Sequence, residues 1–437
     1  MKTFQDAGYE IYTVGGCVRD LIMNRPTKDW DFTTNAKPEE ILRLFPDGFY
    51  NNIFGTVSLP QEKQEDQEIF EVTTYRTEHG YSDRRHPDKV YWGSSLKEDL
   101  ARRDFTINAI AYDGKHIIDP FKGQEDITDG LLRAVGDPQR RFDEDALRMM
   151  RAIRIAAELG FVIEEQTFLA IKEDATLINR ISGERIREEL MKILASAFPA
   201  DGIMLLRNSG LLEEILPELD ACFGIPQQSP KRHHIYDVGT HSIYALKHCP
   251  SSDPIVRLAT LLHDIGKPPT FHKTDEGIIT FYNHEIVGTH IVRAVADRLR
   301  FGRHERERLV TLVRWHQFTV DERQTDSAIR RVIRHVGKEN LSDILALRIG
   351  DRLGGGARET SWRLELFKKR LEEVQKQPFS LADLKVNGYD VMKTLNVNPG
   401  PLVGKILTLL FAEVEQDKEK NNRDYLLNRM PEIKSSL

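Results

Sequence analysis

The sequence predicts an α+β chain, a mixed sheet with helices followed by an all-helical remainder, on three observations. Short apolar runs bounded by turn residues fill residues 1 to about 135: "YEIYTVGG", "DWDFTT", "GTVSLP", "EIFEVTTYR", "KVYWGSS" and "NAIAYDGKHIIDP". These have the length and punctuation of strands. From about residue 140 the apolar residues recur at helical spacing instead. At 437 residues the chain is also too long for one ordinary core, so several domains are expected.

Within the first part, "PEEILRLF" reads as a helix set among the strands. In "DEDALRMMRAIRIAAELGF", Ala146, Met149, Met150, Ile153 and Ala156 form one apolar stripe, and Gly160 supplies a stop. Helices "GERIREELMKILAS" and "ADGIMLLRNSGLLEEILP" follow, and turn-rich "GIPQQSPKRHHIYD" marks a boundary near 224 to 232. A histidine-studded helical block runs from 233 to about 354 and closes on "GGGARET"; the remainder is helical and charged. The expected units are 1–138, 139–224, 225–354 and 355–437, with no internal repeat and no low-complexity tract.

Composition narrows the class. A formal charge of −6 means that any nucleic acid must be held by local basic surface. The three cysteines, Cys17, Cys222 and Cys249, fall at no metal-ligand spacing, and their odd, sparse count suits a reducing compartment, by default the cytoplasm. No apolar run approaches a membrane span, and "MKTFQDAGYE" lacks the apolar core of a signal peptide, so no membrane partner is expected.

Two constellations carry chemistry. In "GGCVRDLIMNRPTKDWDF", Asp29 and Asp31 lie one residue apart; in a strand they would share a face and repel one another. Mg²⁺ binds such carboxylates together with substrate phosphates, while Gly15 and Gly16 let backbone amides approach a triphosphate and Arg19 offers a charge partner. Glu71 in "IFEVTTYR" is a candidate third carboxylate, and Asp145 and Arg148 stand three apart on the "EDALRMMR" helix, where an ordinary intrahelical ion pair is the plain alternative. The second constellation is His241, adjacent His263 and Asp264, His284, His316 and Asp351. These are ligands for Mn, Fe, Ni, Co, Zn or Mg, with Lys267 a candidate phosphate holder and His233, His234 and His290 candidates for outer roles only.

The stretches "GGCVRDLIMNRPTKDWDF", "ARRDFTINAIAYD", "DPFKGQEDITDGLLRAVGDP", "RFDEDALRMMRAIR" and "SGERIREELMKIL" occur in that order over the first 220 or so residues. Together they resemble the bacterial-type tRNA nucleotidyltransferases, the CCA-adding enzymes and their poly(A) polymerase relatives. One departure is Asn24, where that family usually has glycine. The resemblance implies a polymerase-β-like palm whose Asp29 and Asp31 hold Mg²⁺, with Arg102, Arg103, Asp104 and Asn108 on the ribose and phosphate side of the nucleotide pocket. It further implies that Asp145 and Arg148, with Arg151 and Arg154 beyond them, choose CTP and ATP against a tRNA acceptor end. The segment "YRTEHGYSDRRHPDKVYW", with Arg76, Glu78, Tyr81, Asp83 and Arg85, matches a loop that the family associates with the change from C to A addition; its presence argues against a CC-only enzyme.

The second constellation resembles the HD phosphohydrolase superfamily. Fused to a nucleotidyltransferase, it implies removal of phosphate from RNA ends as a 2′,3′-cyclic phosphodiesterase, 2′-nucleotidase or phosphatase, with a structural metal site as the rival. The segment 385–415 resembles the tail of such fused enzymes, which helps hold tRNA; Lys385, Lys393 and Lys405 could reach backbone phosphates. Three alternatives remain: an enzyme adding only A or a poly(A) polymerase, an HD hydrolase of nucleotides with an RNA-binding N-terminal module, or an RNA-binding protein without catalysis.

Overall fold

A computed structural model of the chain describes all residues except 28, 51–54, 61–68, 80–88, 93–94, 228–234, 319–324, 357–361 and 376–380. The N-terminal sheet is mixed. Its strands are β1 (Ile11–Val14), β2 (Asp31–Thr34), β3 (Phe49–Tyr50), β4 (Thr56–Pro60) and β5 (Ile69–Thr74). After a separate hairpin of β6 (Arg76–His79) and β7 (Lys89–Trp92), β8 (Ala111–Tyr112) and β9 (Ile117–Ile118) complete it. The order is β3-β4-β5-β2-β1-β8-β9. β1 runs antiparallel to β2, pairing Val14 with Asp31, whereas β2 runs parallel to β5, pairing Asp31 with Glu71. Thr33 and Thr34 are both buried, one on each face of the sheet, and apolar Phe4, Ile11, Ala36, Ile41, Val57 and Val72 form a core with the helix Pro38–Leu44.

Two local details differ from the sequence reading. Asp29 precedes β2 rather than lying within it, because the strand begins at Asp31. The "ADGIMLLRNSGLLEEILP" segment is two helices, Pro199–Asn208 and Leu211–Ile215, since Gly210 takes φ 81°, a left-handed conformation that no right-handed helix accommodates. Asn24 also adopts positive φ, 53°, so the residue that replaces glycine there is of the type that best tolerates that conformation.

The helical neck and the histidine-bearing block share one continuous apolar core that runs from Phe105 to Val374, while the tail has its own, around Leu384, Val391, Leu410 and Met430. Helix Leu341–Gly354 lies close on helix Val238–Lys247, an approach that depends on glycine. A Cβ on Gly350 would stand 2.7 Å from the Ala245 carbonyl oxygen, and one on Gly354 would stand 2.6 Å from the Ala245 nitrogen. This contact sets Asp351 against His241. Gly354→Val is therefore expected to lower the free energy of unfolding by about 2 kcal/mol through overpacking. Chemical denaturation followed by circular dichroism checks it; a variant as stable as the parent refutes the close-approach argument.

Candidate active and metal sites

In the head, Gly15 turns the chain between β1 and the helix Gly16–Ile22 with φ 82°. A Cβ there would meet Arg103 Nη1 at 3.2 Å and Asp31 Oδ2 at 3.5 Å, so the glycine leaves a backbone wall beside the carboxylate. Enclosure in this cleft raises the pKa of Asp31; Arg103 opposes the rise, and Glu71 and Asp29 add to it. Three carboxylates thus converge where a cation would relieve their repulsion, a donor set that fits a hard, oxygen-seeking ion.

Behind them the "RRD" stretch follows the helix Leu96–Ala101. Fully buried Asp99 accepts from Arg102 at 2.9 Å and lies 3.6 Å from Arg103. Arg19 donates to Asn108 at 3.0 Å and pairs with Asp20 at 2.8 Å. Asp104 accepts from Asn108 at 3.2 Å and from Arg151 at 2.5 Å. Burial opposes ionisation of Asp104, but the Arg151 guanidinium outweighs it and holds the pKa at about 2.

Asp145 and Arg148 are not paired with one another and do not share a helix face. Asp145 is extended, φ −147° and ψ 106°, between the helices Pro138–Glu144 and Leu147–Leu159. Its carboxylate caps the second helix by accepting from the Leu147 amide at 3.0 Å, and it pairs with Arg185 at 3.0 Å. Arg148 donates to Glu144 at 2.7 Å, to the Arg141 carbonyl at 3.1 Å and to the Arg102 carbonyl at 3.2 Å. Arg154 is engaged with Glu189 at 2.7 Å and Glu158 at 3.0 Å. The sequence reading missed Glu144 and Arg185. Glu144 stands four residues before Arg148, a spacing that pairs on helices and could have flagged it; Arg185 had no local signal, since its partner is 40 residues away.

The six ligand candidates of the second constellation come together in two buried triads, His241, His263 and Asp351, and Asp264, His284 and His316. Within each triad the ligand atoms lie within 4.8 Å of one another. They line a cavity of about 590 Å³ that Tyr282, Arg348 and Arg352 also border. His263, His284 and His316 each direct Nδ1 at a backbone carbonyl, of Thr260, Phe281 and Val313 at 2.7, 2.8 and 2.7 Å. With Nδ1–H donating there, the Nε2 lone pair of each is free to face the centre, the arrangement that metal-bound histidines use. Buried Nε2 atoms of His284 and His316 have no hydrogen-bond partner among the described residues, and burial pushes the pKa of His316 down to about 3, so it is neutral. His241 Nε2 and His263 Nε2 stand 3.2 Å apart, a contact that only a proton or a cation between them makes favourable. The residues therefore fit a bound metal.

Lys267 is buried, donates to both Asp264 and Gln227 at 2.5 Å, and borders the cavity beside the Asp264 carboxylate. Of the outer candidates, His290 is exposed and His233 and His234 lie outside the described residues, as do Tyr81, Asp83 and Arg85 of the expected loop; Arg76 and Glu78 fall on β6. Lys385, Lys393 and Lys405 are all exposed. No helix among the described residues is long and apolar enough to cross a membrane.

A mixed sheet with paired carboxylates, joined to a helical domain with an HD ligand set, defines a nucleotidyltransferase coupled to an HD-type centre. Family models agree: Poly A polymerase head domain over residues 11–133, the polymerase A RNA and SrmB-binding site over 160–223, HD domain over 233–353 and tRNA nucleotidyltransferase domain 2 over 294–430. The chain is 33% identical over 437 residues to the CCA-adding enzyme of Lactiplantibacillus plantarum, covering 98% of this chain and 93% of that one. It belongs to the CCA-adding enzyme family. A match to the CCA-adding enzyme of Lactobacillus helveticus is 46% identical over 217 residues, 49% of this chain and 53% of the relative, so it spans about half of each. The Bacillus stearothermophilus CCA-adding enzyme in complex with CTP has a similar structure, with TM-score 0.72, 28% identity, and coverage of 100% of this chain and 96% of that one. The fold is also that of the Thermotoga maritima CCA-adding enzyme complexed with tRNA, with TM-score 0.61, 21% identity and coverage of 98% and 92%.

The Asp104–Arg151 pair yields a stability prediction. Asp104 has a folded pKa below its ordinary 3.8, so its stabilisation is full above about pH 4 and is lost as pH falls towards 2. Arg151 keeps 39% exposure, which screens its half of the pair. Arg151→Met is expected to cost about 2 kcal/mol at pH 7 and to recover part of it on acidification, because burial then raises the Asp104 pKa. Urea unfolding at pH 7 and pH 4 measures both; an equal loss at the two values defeats the assignment.

Proposed function

We propose that this enzyme completes or rebuilds the 3′-CCA end of tRNA, taking C and A from CTP and ATP without a nucleic-acid template. The observation that carries the reading is Asp31 at the head of β2, in register with Glu71 and open beside Gly15. In this reading Asp29 and Asp31, with Glu71, hold Mg²⁺, which supplies charge stabilisation for the attacking and leaving oxygens. The tRNA 3′-hydroxyl attacks the α-phosphorus of the nucleotide, and pyrophosphate leaves. Arg103 and Arg19, held by Asp99, Asp20 and Asn108, present cationic N–H groups to the phosphates and ribose. Exposed Lys385, Lys393 and Lys405 in the tail offer charge to the tRNA backbone.

Base choice follows from donor and acceptor positions. Cytosine and adenine each show an amine beside a ring acceptor, whereas uracil and guanine show a carbonyl beside an N–H. Asp145 can accept from the amine and Arg148 can donate to the ring nitrogen. Arg148 has five N–H donors, and the three spent on Glu144, Arg141 and Arg102 leave donors for the base. The wrong bases leave both side chains facing like groups, a penalty of about 1–3 kcal/mol per unpaired group.

The HD centre supports a second activity, hydrolysis of phosphate at RNA ends or on nucleotides, since four buried histidines direct Nε2 at two carboxylates beside an open cavity. His241, His263 and Asp351 would hold one ion and Asp264, His284 and His316 another; Mn, Fe, Ni, Co, Zn and Mg all suit imidazole and carboxylate donors to differing degrees. Three reduced, buried cysteines accord with work in the cytoplasm.

With labelled CTP and ATP, tRNAs ending before C, after C and after CC are all expected to be extended; extension of the last alone identifies an A-adding enzyme. Asp31→Ala should reduce addition about a thousandfold or more; retained addition overturns the role of Asp31, and survival of the main cellular activity without addition favours a hydrolase with an RNA-binding head. Asp264→Asn is expected to lose bound metal by elemental analysis together with the hydrolysis of 2′,3′-cyclic nucleotides to their monophosphates. Metal loss with no hydrolysis of the cyclic nucleotides in the parent either would mark that centre as structural.

A further inference from the structure

Two side chains border the HD-type cavity without belonging to either ligand triad, Tyr282 and Arg348. Tyr282 is 77% exposed, more than any other large apolar or aromatic side chain among the described residues. It leaves the short hairpin of His272–Lys273 and Ile279–Thr280 and stands two residues before His284. Between them Asn283 takes φ 61°, a left-handed turn that leads into the helix His284–Arg298. Across that turn the Tyr282 ring is left in solvent while the His284 imidazole is buried. Arg348 lies one helical turn before Asp351 and donates from Nη1 to Asp351 Oδ2 at 3.1 Å. The other oxygen of that carboxylate, Oδ1, faces His241 Nε2 at 3.2 Å. Arg348 is thus anchored on the side of Asp351 that the triad does not use, over the ring of Phe318, and a guanidinium has five N–H donors.

We propose that this cavity seats a nucleotide, with its base stacked on the Tyr282 ring and its phosphate held by Arg348 beside the two triads. The inference rests on the reading of the HD centre as hydrolytic and adds the class of substrate, a nucleoside phosphate rather than inorganic phosphate or pyrophosphate. Size favours it: about 590 Å³ falls within the range of about 300–1,000 Å³ typical of small-molecule sites, and an inorganic ion would leave most of it empty. Chemistry favours it too. A planar guanidinium fork matches phosphate oxygens, whereas an aromatic face in water offers nothing to a bare ion and a stacking platform to a base. The platform continues inward, because Phe281 also borders the cavity and packs against Phe271 with ring centroids 5.9 Å apart. Every base has a π-face. A single ring therefore separates nucleotides from simple sugar phosphates while accepting all four bases.

The test compares the full-length, metal-loaded parent with Tyr282→Phe, Tyr282→Ala and Arg348→Ala. Three substrates are supplied: 2′,3′-cyclic AMP, a short RNA ending in a 2′,3′-cyclic phosphate, and methyl riboside 2′,3′-cyclic phosphate, which has no base. Calorimetry measures binding of 2′-AMP, and elemental analysis measures bound metal. Tyr282→Ala is expected to raise KM for the cyclic nucleotide about tenfold and to weaken 2′-AMP by a similar factor, with smaller changes in kcat and on the base-free ester. Tyr282→Phe keeps the ring and should restore nucleotide binding. Arg348→Ala should weaken nucleotide and base-free ester alike, about tenfold, with metal content retained; loss of metal there assigns Arg348 to Asp351 alone and overturns its phosphate role. A Tyr282→Ala effect confined to the mononucleotide supports the platform with free nucleotides as the source, and one confined to the oligomer supports it with RNA ends. Equal KM for nucleotide and base-free ester in the parent, or no effect of Tyr282→Ala on either nucleotide substrate, overturns the platform while leaving the hydrolase reading intact. A parent that hydrolyses none of the three but binds 2′-AMP through Tyr282 overturns the hydrolase reading and supports the seat. One that neither hydrolyses nor binds overturns both.

Discussion

The head of this enzyme depends on a parallel strand pairing that forces like charges together. β2 and β5 align Asp31 with Glu71, and the chain leading into β2 brings Asp29 close by. Such a cluster costs stability when empty, since enclosure and repulsion both push the Asp31 pKa upward. The surrounding residues do not cancel that charge. They shape it: Gly15 keeps one side open, and Arg103 stands at the edge, shared between Asp31 and the buried Asp99. A site that carries unrelieved negative charge is one that a cation and its phosphate ligands complete.

The second centre follows a different economy. There an opposite charge is built in beside the carboxylate, with Lys267 on Asp264. Backbone carbonyls one turn earlier fix the tautomers of three histidines, so orientation comes from the helices and not from the ligand. Close glycine contacts at Gly350 and Gly354 then deliver Asp351 from a helix more than 80 residues downstream of His263. Because the same apolar core continues into the neck, the helix Gly183–Ala195 is clasped at both ends: Gly183 meets Arg298, and Arg257 donates to the carbonyls of Leu194 and Ser196 at 2.6 and 3.0 Å.

How much of this was legible depended on whether a residue's role is written in local spacing. The strands of the head, the helical remainder and the six HD ligands all announce themselves through periodicity or through chemistry that recurs along the chain. What spacing could not convey was partnership. Asp145 and Arg148 sit three apart, which on a continuous helix means a pair; the helix break at Asp145 instead sends one to Arg185 and the other to Glu144. Lys267 borders the cavity as its position three residues after Asp264 suggests, while its contact with Gln227, 40 residues away, had no local signal. For Asp145 a tertiary contact, with Arg185 40 residues on, overrode the short-range expectation.

In the proposed reading of Asp145 and Arg148 as the base-choosing pair, that override is what lets a protein surface stand in for a template base. A paired Asp145 and Arg148 would satisfy one another and offer the incoming nucleotide little, since each would have to give up an ionic partner to bind it. Giving each its own anchor removes that competition. Glu144 and Arg185 neutralise the two charges from behind, leaving one acceptor and at least one donor facing outward at fixed positions. The nucleotide then pays no cost of breaking an internal ion pair, and a base of the wrong polarity gains nothing from rearrangement because the anchors hold the edge rigid. Selectivity of this kind needs only that the anchors be stronger than the pull of a mispositioned carbonyl, which charge-assisted pairs at 2.7 and 3.0 Å satisfy.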